Sequence, residues 1–306
     1  MNNMTFNELA TLWIADKKQY VKKSTYATYT ILLQSHLQPA FGQRTDITEE
    51  LVQQYVLAKL QEGLSRKTIK DMLVILKMIL KFGSKWHMKE SRSIEIKFPT
   101  DRENTPLEVL SISSQRKIMQ HIKDNFSFQN LGIYICLLSG IRIGEICALK
   151  WEDIDTSNGI IKINKTLQRI YTRGTPAHTE LIIDTPKSKN SIREIPMTKE
   201  LLSIIKPLKR VVNNEYYVLT NDPHPTEPRT YRNHYYRLMK HLELPALKFH
   251  GLRHSFATRC IESRCDYKTV SVLLGHSNIS TTLNLYVHPN MEQKKRCIEQ
   301  MLKALK

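Results

Sequence analysis

The chain has 306 residues, 41% hydrophobic and 25% charged, and sets 46 Lys and Arg against 29 Asp and Glu for a formal charge of +17. That length suffices for two domains with separate cores. So basic a surface attracts a polyanion, nucleic acid first among them, with an affinity that falls as salt rises. No apolar signal core opens the chain and no apolar run is long enough to cross a bilayer, so no membrane partner is expected, and the predicted location is cytoplasmic, in a bacterial cytosol or nucleoid.

With only 10 glycines, helices are expected to dominate. Cys136, Cys147, Cys260, Cys265 and Cys297 are odd in number and lack a CxxC spacing, so they read as reduced thiols, neither a disulfide framework nor a zinc site. Thr5-Phe6-Asn7-Glu8 predicts a capping box, opening a helix with Leu9, Leu12 and Trp13 on its apolar side. Ser24 is the expected cap of a second helix that carries Tyr26, Tyr29, Leu32 and Leu33 towards Leu37 and ends at Pro39 and Gly42. Thr48 opens a third helix and Ser65 a fourth. The fourth has Ile69, Leu73, Leu76, Ile79 and Leu80 at three- and four-residue steps, with Lys67, Lys70, Lys77 and Lys81 among its polar positions. These four lysines are candidate contacts to DNA phosphates. Residues 1–90 thus read as a small helical domain. Residues 91–106, where the periodicity stops and Pro99 and Pro106 enter, read as a linker.

Ser111 is predicted to cap a helix through Ile118 and Ile122, and a further helix covers Leu131 to Leu138. Gly140 breaks it just before Arg142, after which helix resumes through Glu145 and Leu149 into Trp151-Glu152-Asp153-Ile154. After Gly159 the isoleucine-rich runs at Ile160–Ile163, Leu181–Ile183 and Ile192–Ile195 suggest short strands of one small antiparallel sheet, with a polar turn of Lys187, Ser188, Lys189 and Asn190 between the last two. Helix returns near Thr198, again after Pro228, and then to the end. The expected class is mainly α with a small antiparallel β-sheet (α+β).

The chemistry concentrates in the C-terminal third. His250-Gly251-Leu252-Arg253-His254 is followed by Gly275-His276 and, ten residues on, by Tyr286 and then His288. Arg142 lies upstream in Gly140-Ile141-Arg142-Ile143-Gly144. A tyrosine can attack a phosphodiester, but its pKa of about 10 means that ionising it at neutral pH costs roughly 4 kcal/mol, so a base or strong local positive charge must help. Two guanidiniums, Arg142 and Arg253, match the geometry of a phosphate whose oxygens gain charge in the transition state. His250 and His276 suit proton transfer and hydrogen bonding to that phosphate. Lys187, on its hairpin turn, is the candidate donor of a proton to the departing 5′-oxygen, with Lys189 and Arg193 nearby. A zinc pair at His250 and His254 is the competing reading; position 251 lacks the Glu of the metalloprotease helix and no third ligand follows. No phosphate-cradling glycine motif occurs, and exchange of one phosphoester for another demands neither a nucleotide cofactor nor a metal.

Gly140-Ile141-Arg142-Ile143-Gly144-Glu145 with Leu149-Lys150-Trp151-Glu152-Asp153-Ile154, Thr185-Pro186-Lys187-Ser188 with Arg193-Glu194-Ile195-Pro196, the HxxR box at His250, Leu274-Gly275-His276-Ser277 and Tyr286 together resemble the tyrosine recombinase (phage integrase) family. The resemblance covers residues 107–290 in detail and residues 1–90 in pattern only. It implies a helical core-binding domain, a catalytic domain over 107–290, and a supporting acidic residue in Glu145. It also implies 3′-phosphotyrosyl chemistry on duplex DNA core sites, a tetramer on two sites passing through a Holliday junction, and an excisionase or other DNA-bending accessory factor as a further partner. Residues 291–306, with Cys297, Ile298, Met301, Leu302 and Leu305, are expected to form an amphipathic helix that docks on a neighbouring protomer or on its own domain. Position 251 is Gly where many members carry Asp. No further domain is expected ahead of the helical unit, as in short integrases of mobile elements without an arm-binding domain. Competing functions are a dimer-resolving recombinase, a type IB topoisomerase and a non-catalytic DNA-binding regulator.

Overall fold

The computed structural model describes residues 4–84, 95–99, 107–172, 178–186, 188–286 and 291–305. It divides into two compact units, residues 1–104 with 170–180 and residues 105–169 with 181–306.

In the first unit, α1 (Phe6–Lys17) starts at the predicted capping box: the Thr5 amide donates to Glu8 at 2.7 Å and the Glu8 amide returns a bond to Thr5 at 3.4 Å. The second helix begins one residue before its predicted cap. α2 (Lys23–Leu32) has Lys22 at its N-cap position with no side-chain cap, so Ser24 lies inside the first turn. It does not end at Pro39. The run passes through a π turn (Leu33–Leu37) into α3 (Gln38–Phe41), and Gly42 follows. Pro39 has no amide to give and its ring crowds the preceding turn; a locally widened π turn absorbs both.

Thr48 caps α4 (Glu49–Gln61), and the Ser65 hydroxyl caps α5 (Arg66–Ser84) by accepting the Thr68 amide at 3.1 Å. The core gathers Phe6, Trp13, Leu37, Phe41, Ile69 and Met72, all at most 3% exposed. Residues 95–99, within the stretch read as a linker, lie extended along α4. Gln53 exchanges two 3.0 Å bonds with the Lys97 backbone, and Glu49 accepts the Glu95 amide.

In the second unit, α6 (Ile112–Asp124) packs on α7 (Phe128–Ser139), whose residues from Asn130 to Leu137 are all buried. Around it stand α8 (Ile143–Ala148), α9 (Lys199–Lys209), α10 (Pro228–His241), α11 (His250–Glu262) and α12 (Tyr267–Leu274). Then come α13 (Ser280–Tyr286) and α14 (Met291–Ala304). Helix does not run on through Leu149. There the backbone turns extended (ψ 125°) and a separate 3-10 turn, Trp151–Asp153, follows.

One sheet was expected, and two are present among the described residues. β1 (Ile154–Asp155), β2 (Ile160–Ile163) and β5 (Arg193–Pro196) form an antiparallel sheet in the order β1-β2-β5 with Ile161 opposite Ile195. β4 (Thr179–Asp184) pairs instead with β3 (Thr166–Tyr171) in a sheet of its own. β3 escaped the sequence reading because Gln168 and Arg169 break its apolar pattern. Between β4 and β5 the polar turn contains a 3-10 turn at Lys189–Ser191. The fold is therefore mainly helical with small antiparallel sheets. Among the described residues no helix is long and apolar enough to cross a membrane.

Candidate active site

Two left-handed glycines create the frame. Gly140 ends α7 at φ 63° and Gly275 ends α12 at φ 64°. Any other residue at either place is strained by that backbone, and at Gly140 a Cβ would also lie 2.5 Å from Phe256. Each cap leaves helix-end carbonyls unpaired, carrying the negative pole of the helix dipole.

Three arginines take up those carbonyls at the end of α12 in consecutive order. Arg193 Nε donates to Leu273 O at 2.6 Å, Arg253 Nη2 to Leu274 O at 2.6 Å and Arg142 Nη2 to Gly275 O at 3.3 Å. Arg253 also donates Nη1 to Gly140 O at 2.9 Å, so it ties the two capped helix ends together. Burial, with the charges of Arg142 and Arg193 nearby, lowers its pKa to about 9.

Glu145, 3% exposed, is the counter-charge. Its carboxylate accepts two bonds from Arg193 at 3.1 and 3.0 Å, one from Arg142 Nη1 at 2.8 Å, and the Arg142 backbone amide at 2.8 Å. Burial alone would push its pKa up; Arg193 and then Arg142 outweigh that and hold it below the usual carboxylate range. Two guanidiniums thus share one buried carboxylate while the third, Arg253, is held by backbone carbonyls, and Arg142 keeps 34% of its side chain exposed. The cluster is short of negative charge on the side that faces solvent.

The candidate proton-transfer groups lie near this cluster. His250 opens α11 at an exposed position, where burial of part of its ring and then the charges of His254, Arg253 and Arg142 lower its pKa. His276 follows Gly275; its Nδ1 meets Thr282 Oγ1 at 2.8 Å, and burial followed by Arg253 and Arg142 brings its pKa to about 4. Both imidazoles are therefore neutral at pH 7 before an anion arrives. Tyr286 ends α13, 9% exposed, packed on Ala257, Val270 and Leu274. Burial lifts its phenol to about 12, against the opposing pull of Arg253.

The structure accordingly brings together Arg142, Glu145, His250, Arg253, His276 and Tyr286. Lys187 and His288 lie outside the described residues. Lys67, Lys70, Lys77 and Lys81 are exposed on one side of α5 in the other unit; Lys67 pairs with Asp71 at 3.7 Å and Lys70 lies over the Phe98 ring at 5.3 Å. Among the described residues no group of three or more His, Cys, Asp or Glu is placed to hold a metal ion.

Two residues carry more than their sequence reading. Arg193 appeared only as a base near Lys187, yet it is the buried link between Glu145 and α12. Its signal lay in strand alternation: Arg193 and Ile195 are buried while Glu194 and Pro196 are exposed. His254 appeared only as a zinc candidate, and its Nδ1 lies 2.6 Å from Tyr286 Oη. Gly251 places no demand on the site, since a Cβ there would meet nothing nearer than 3.6 Å. Gly251→Ala is expected to raise unfolding free energy by up to about 1 kcal/mol, as glycine within a helix does when replaced, checked by chemical denaturation.

The phage integrase family matches residues 108–293, and the phage integrase N-terminal SAM-like domain matches residues 5–60. A tyrosine recombinase XerC-like protein of Caldanaerobacter subterraneus is 25% identical over 98% of this chain and 83% of its own. The ICEBs1 integrase of Bacillus subtilis is 23% identical over 95% and 82%. Among solved structures, the Tn1549 transposon integrase in complex with transposon right end DNA is similar in fold, with a TM-score of 0.79 at 23% identity over 98% of this chain and all of that one. A lambda integrase tetramer bound to a Holliday junction has a TM-score of 0.63 at 17% identity, covering 95% and 80%. The chain belongs to the phage integrase family, whose model covers more than half of it. It is a tyrosine recombinase, breaking and rejoining DNA strands in site-specific recombination.

Proposed function

We propose that this recombinase moves a mobile element by integration and excision, using Tyr286 as nucleophile on a scissile phosphate held by Arg142 and Arg253. Tyr286 Oη bonds to phosphorus, the P–O5′ bond breaks, and a 3′-phosphotyrosyl enzyme with a free 5′-hydroxyl results. A partner strand's hydroxyl then reverses the step. His250 and His276 hydrogen-bond the phosphate, Glu145 orients Arg142, and Lys187 protonates the departing oxygen. The observation that carries the reading is a nearly buried phenol near three guanidiniums gathered on the carbonyl end of α12, two of which share the Glu145 carboxylate. Ester exchange conserves bond energy, so the residues need no nucleotide or metal. The substrate is duplex DNA at short core sites, gripped in part by Lys67, Lys70, Lys77 and Lys81, with four protomers on two sites and a DNA-bending excisionase setting direction.

The test is a nicked suicide duplex carrying the element's own ends, incubated in EDTA and resolved in SDS. The expected product is a covalent adduct whose tryptic peptide carries the nucleotide on Tyr286. Tight binding to authentic ends without any adduct would sink the reading in favour of a DNA-binding regulator.

The C-terminal helix is proposed to dock on a neighbouring protomer. In support, Met291, Ile298, Met301, Leu302 and Leu305 each expose more than half of their surface along α14 and just beyond it. Deleting residues 292–306 should leave binding to a single half-site within about twofold while abolishing assembly on a Holliday junction, since the interface and not the DNA contact is removed. Native gels measure both; unchanged assembly rejects the docking.

A further inference from the structure

The hydroxyl that is to attack the phosphate is already held by a group outside the assigned set. Tyr286 Oη lies 2.6 Å from His254 Nδ1, with ring centroids 5.7 Å apart. Both partners are shielded: Tyr286 is 9% exposed and His254 half-buried. Burial and the adjacent Arg253 charge lower the His254 pKa, so its imidazole is neutral at pH 7. The phenol at about 12 is neutral too, so in this contact the hydroxyl donates and an unprotonated Nδ1 accepts. The other two imidazoles are differently engaged. His276 gives its Nδ1 to Thr282, and His250 meets His254 edge-on with ring centroids 4.6 Å apart. The charged and titratable groups acting on His254 are thus His250 and Arg253 from α11 and Tyr286 from α13.

We propose that His254 is the base of the cleavage step, holding the Tyr286 hydroxyl through Nδ1 and taking its proton as Oη bonds to phosphorus. This rests on Tyr286 being the nucleophile. In the resting pair the proton stays on oxygen, because phenol is far the weaker acid. Once Oη begins to bond to phosphorus its basicity collapses, and the proton crosses 2.6 Å to an acceptor already aligned. The P–O5′ bond breaks with its electron pair on the 5′-oxygen, which takes a proton from a separate donor. In the joining step the incoming 5′-hydroxyl attacks and gives its proton back to that separate donor, the Oη–P bond breaks, and protonated His254 returns its proton to Oη. Arg253, next to His254 in the chain, stays bound to Gly140 and Leu274 throughout, so the base and the phosphate clamp share one turn of α11.

The experiment compares two suicide duplexes, one with the natural scissile phosphodiester and one with a 5′-bridging phosphorothiolate, whose thiolate departs without a proton. Wild type, Tyr286→Phe, Lys187→Ala, His254→Ala and His254→Asn are assayed for adduct rate, with DNA binding and thermal unfolding as controls of fold. Asn is chosen because its Oδ1 can accept the same hydroxyl bond but cannot hold the proton. Both His254 variants should cleave about 10²-fold or more slowly on either duplex, the usual worth of a general base, and free imidazole should restore the Ala variant by at least about tenfold. Lys187→Ala should recover on the phosphorothiolate alone.

An Asn variant within about threefold of wild type overturns the proposal, since a mere hydrogen bond then suffices. Recovery of both His254 variants on the phosphorothiolate also overturns it, placing His254 at the leaving group. Failure of imidazole to rescue a folded, DNA-binding Ala variant counts against it in the same way. No wild-type adduct on either duplex removes both this proposal and the Tyr286 reading, whereas an adduct on Tyr286 with unimpaired His254 variants removes only this one.

Discussion

Tyr286→Phe should leave a folded, DNA-binding protein whose adduct formation falls by at least about 10⁴-fold, the order expected when a covalent nucleophile is removed. The change takes away one oxygen and nothing else. Phe keeps the ring in its packing against Ala257, Val270 and Leu274. What is lost from the resting structure is the bond to His254 Nδ1, which leaves a half-buried acceptor unpaired at a cost of about 1 kcal/mol. Stability should therefore change little while chemistry stops. Gel-shift titration and suicide cleavage on one preparation check this, and a Phe variant that still forms adduct would move the nucleophile elsewhere.

The second large effect concerns a residue that is almost wholly buried, Glu145, 3% exposed. Glu145→Ala removes the one carboxylate shared by Arg142 and Arg193, and Arg193 is buried with its side chain 3% exposed. An ion pair broken this way leaves an uncompensated buried charge, and the expected loss is about 3–5 kcal/mol. Glu145→Gln keeps the shape but not the charge and should cost less, still with a large fall in cleavage as Arg142 loses its anchor. The pH dependence follows from the depressed Glu145 pKa. Its contribution is fully present above the unfolded carboxylate value of about 4.3 and fades as pH falls through the lower folded value. The gap between wild type and Glu145→Gln should thus be widest near neutrality and close at acidic pH. Urea unfolding at several pH values tests this, and a gap that widens on acidification would contradict the assigned charge state.

Local grammar carried most of the helices. Thr5, Thr48, Ser111 and Thr198 each accept the amide three residues on, and each sits where the apolar period begins. The recombinase boxes were legible for a related reason, because their glycines and arginines occur at short spacings. Strand pairing was not legible. Ile161 pairs with Ile195 and not with the nearer isoleucines of β4, a choice made by packing across long sequence separation. The site contacts of Arg193 and His254 were missed for the same physical cause. Their roles exist only through partners 48 and 32 residues away, Glu145 and Tyr286.

The end of α12 has a consequence for control. Leu273, Leu274 and Gly275 offer successive carbonyls to Arg193, Arg253 and Arg142, and the next residue is His276. Four functional groups are therefore indexed to one helix of 8 residues, and they have almost no freedom to move independently. A slight slide or rotation of α12 would shift Arg142, Arg253 and His276, three of the proposed phosphate ligands, at once, and its return would restore them together. Such a site is on or off as a whole. Half-active states, in which DNA is gripped but cut slowly and inaccurately, have little place on that single coordinate.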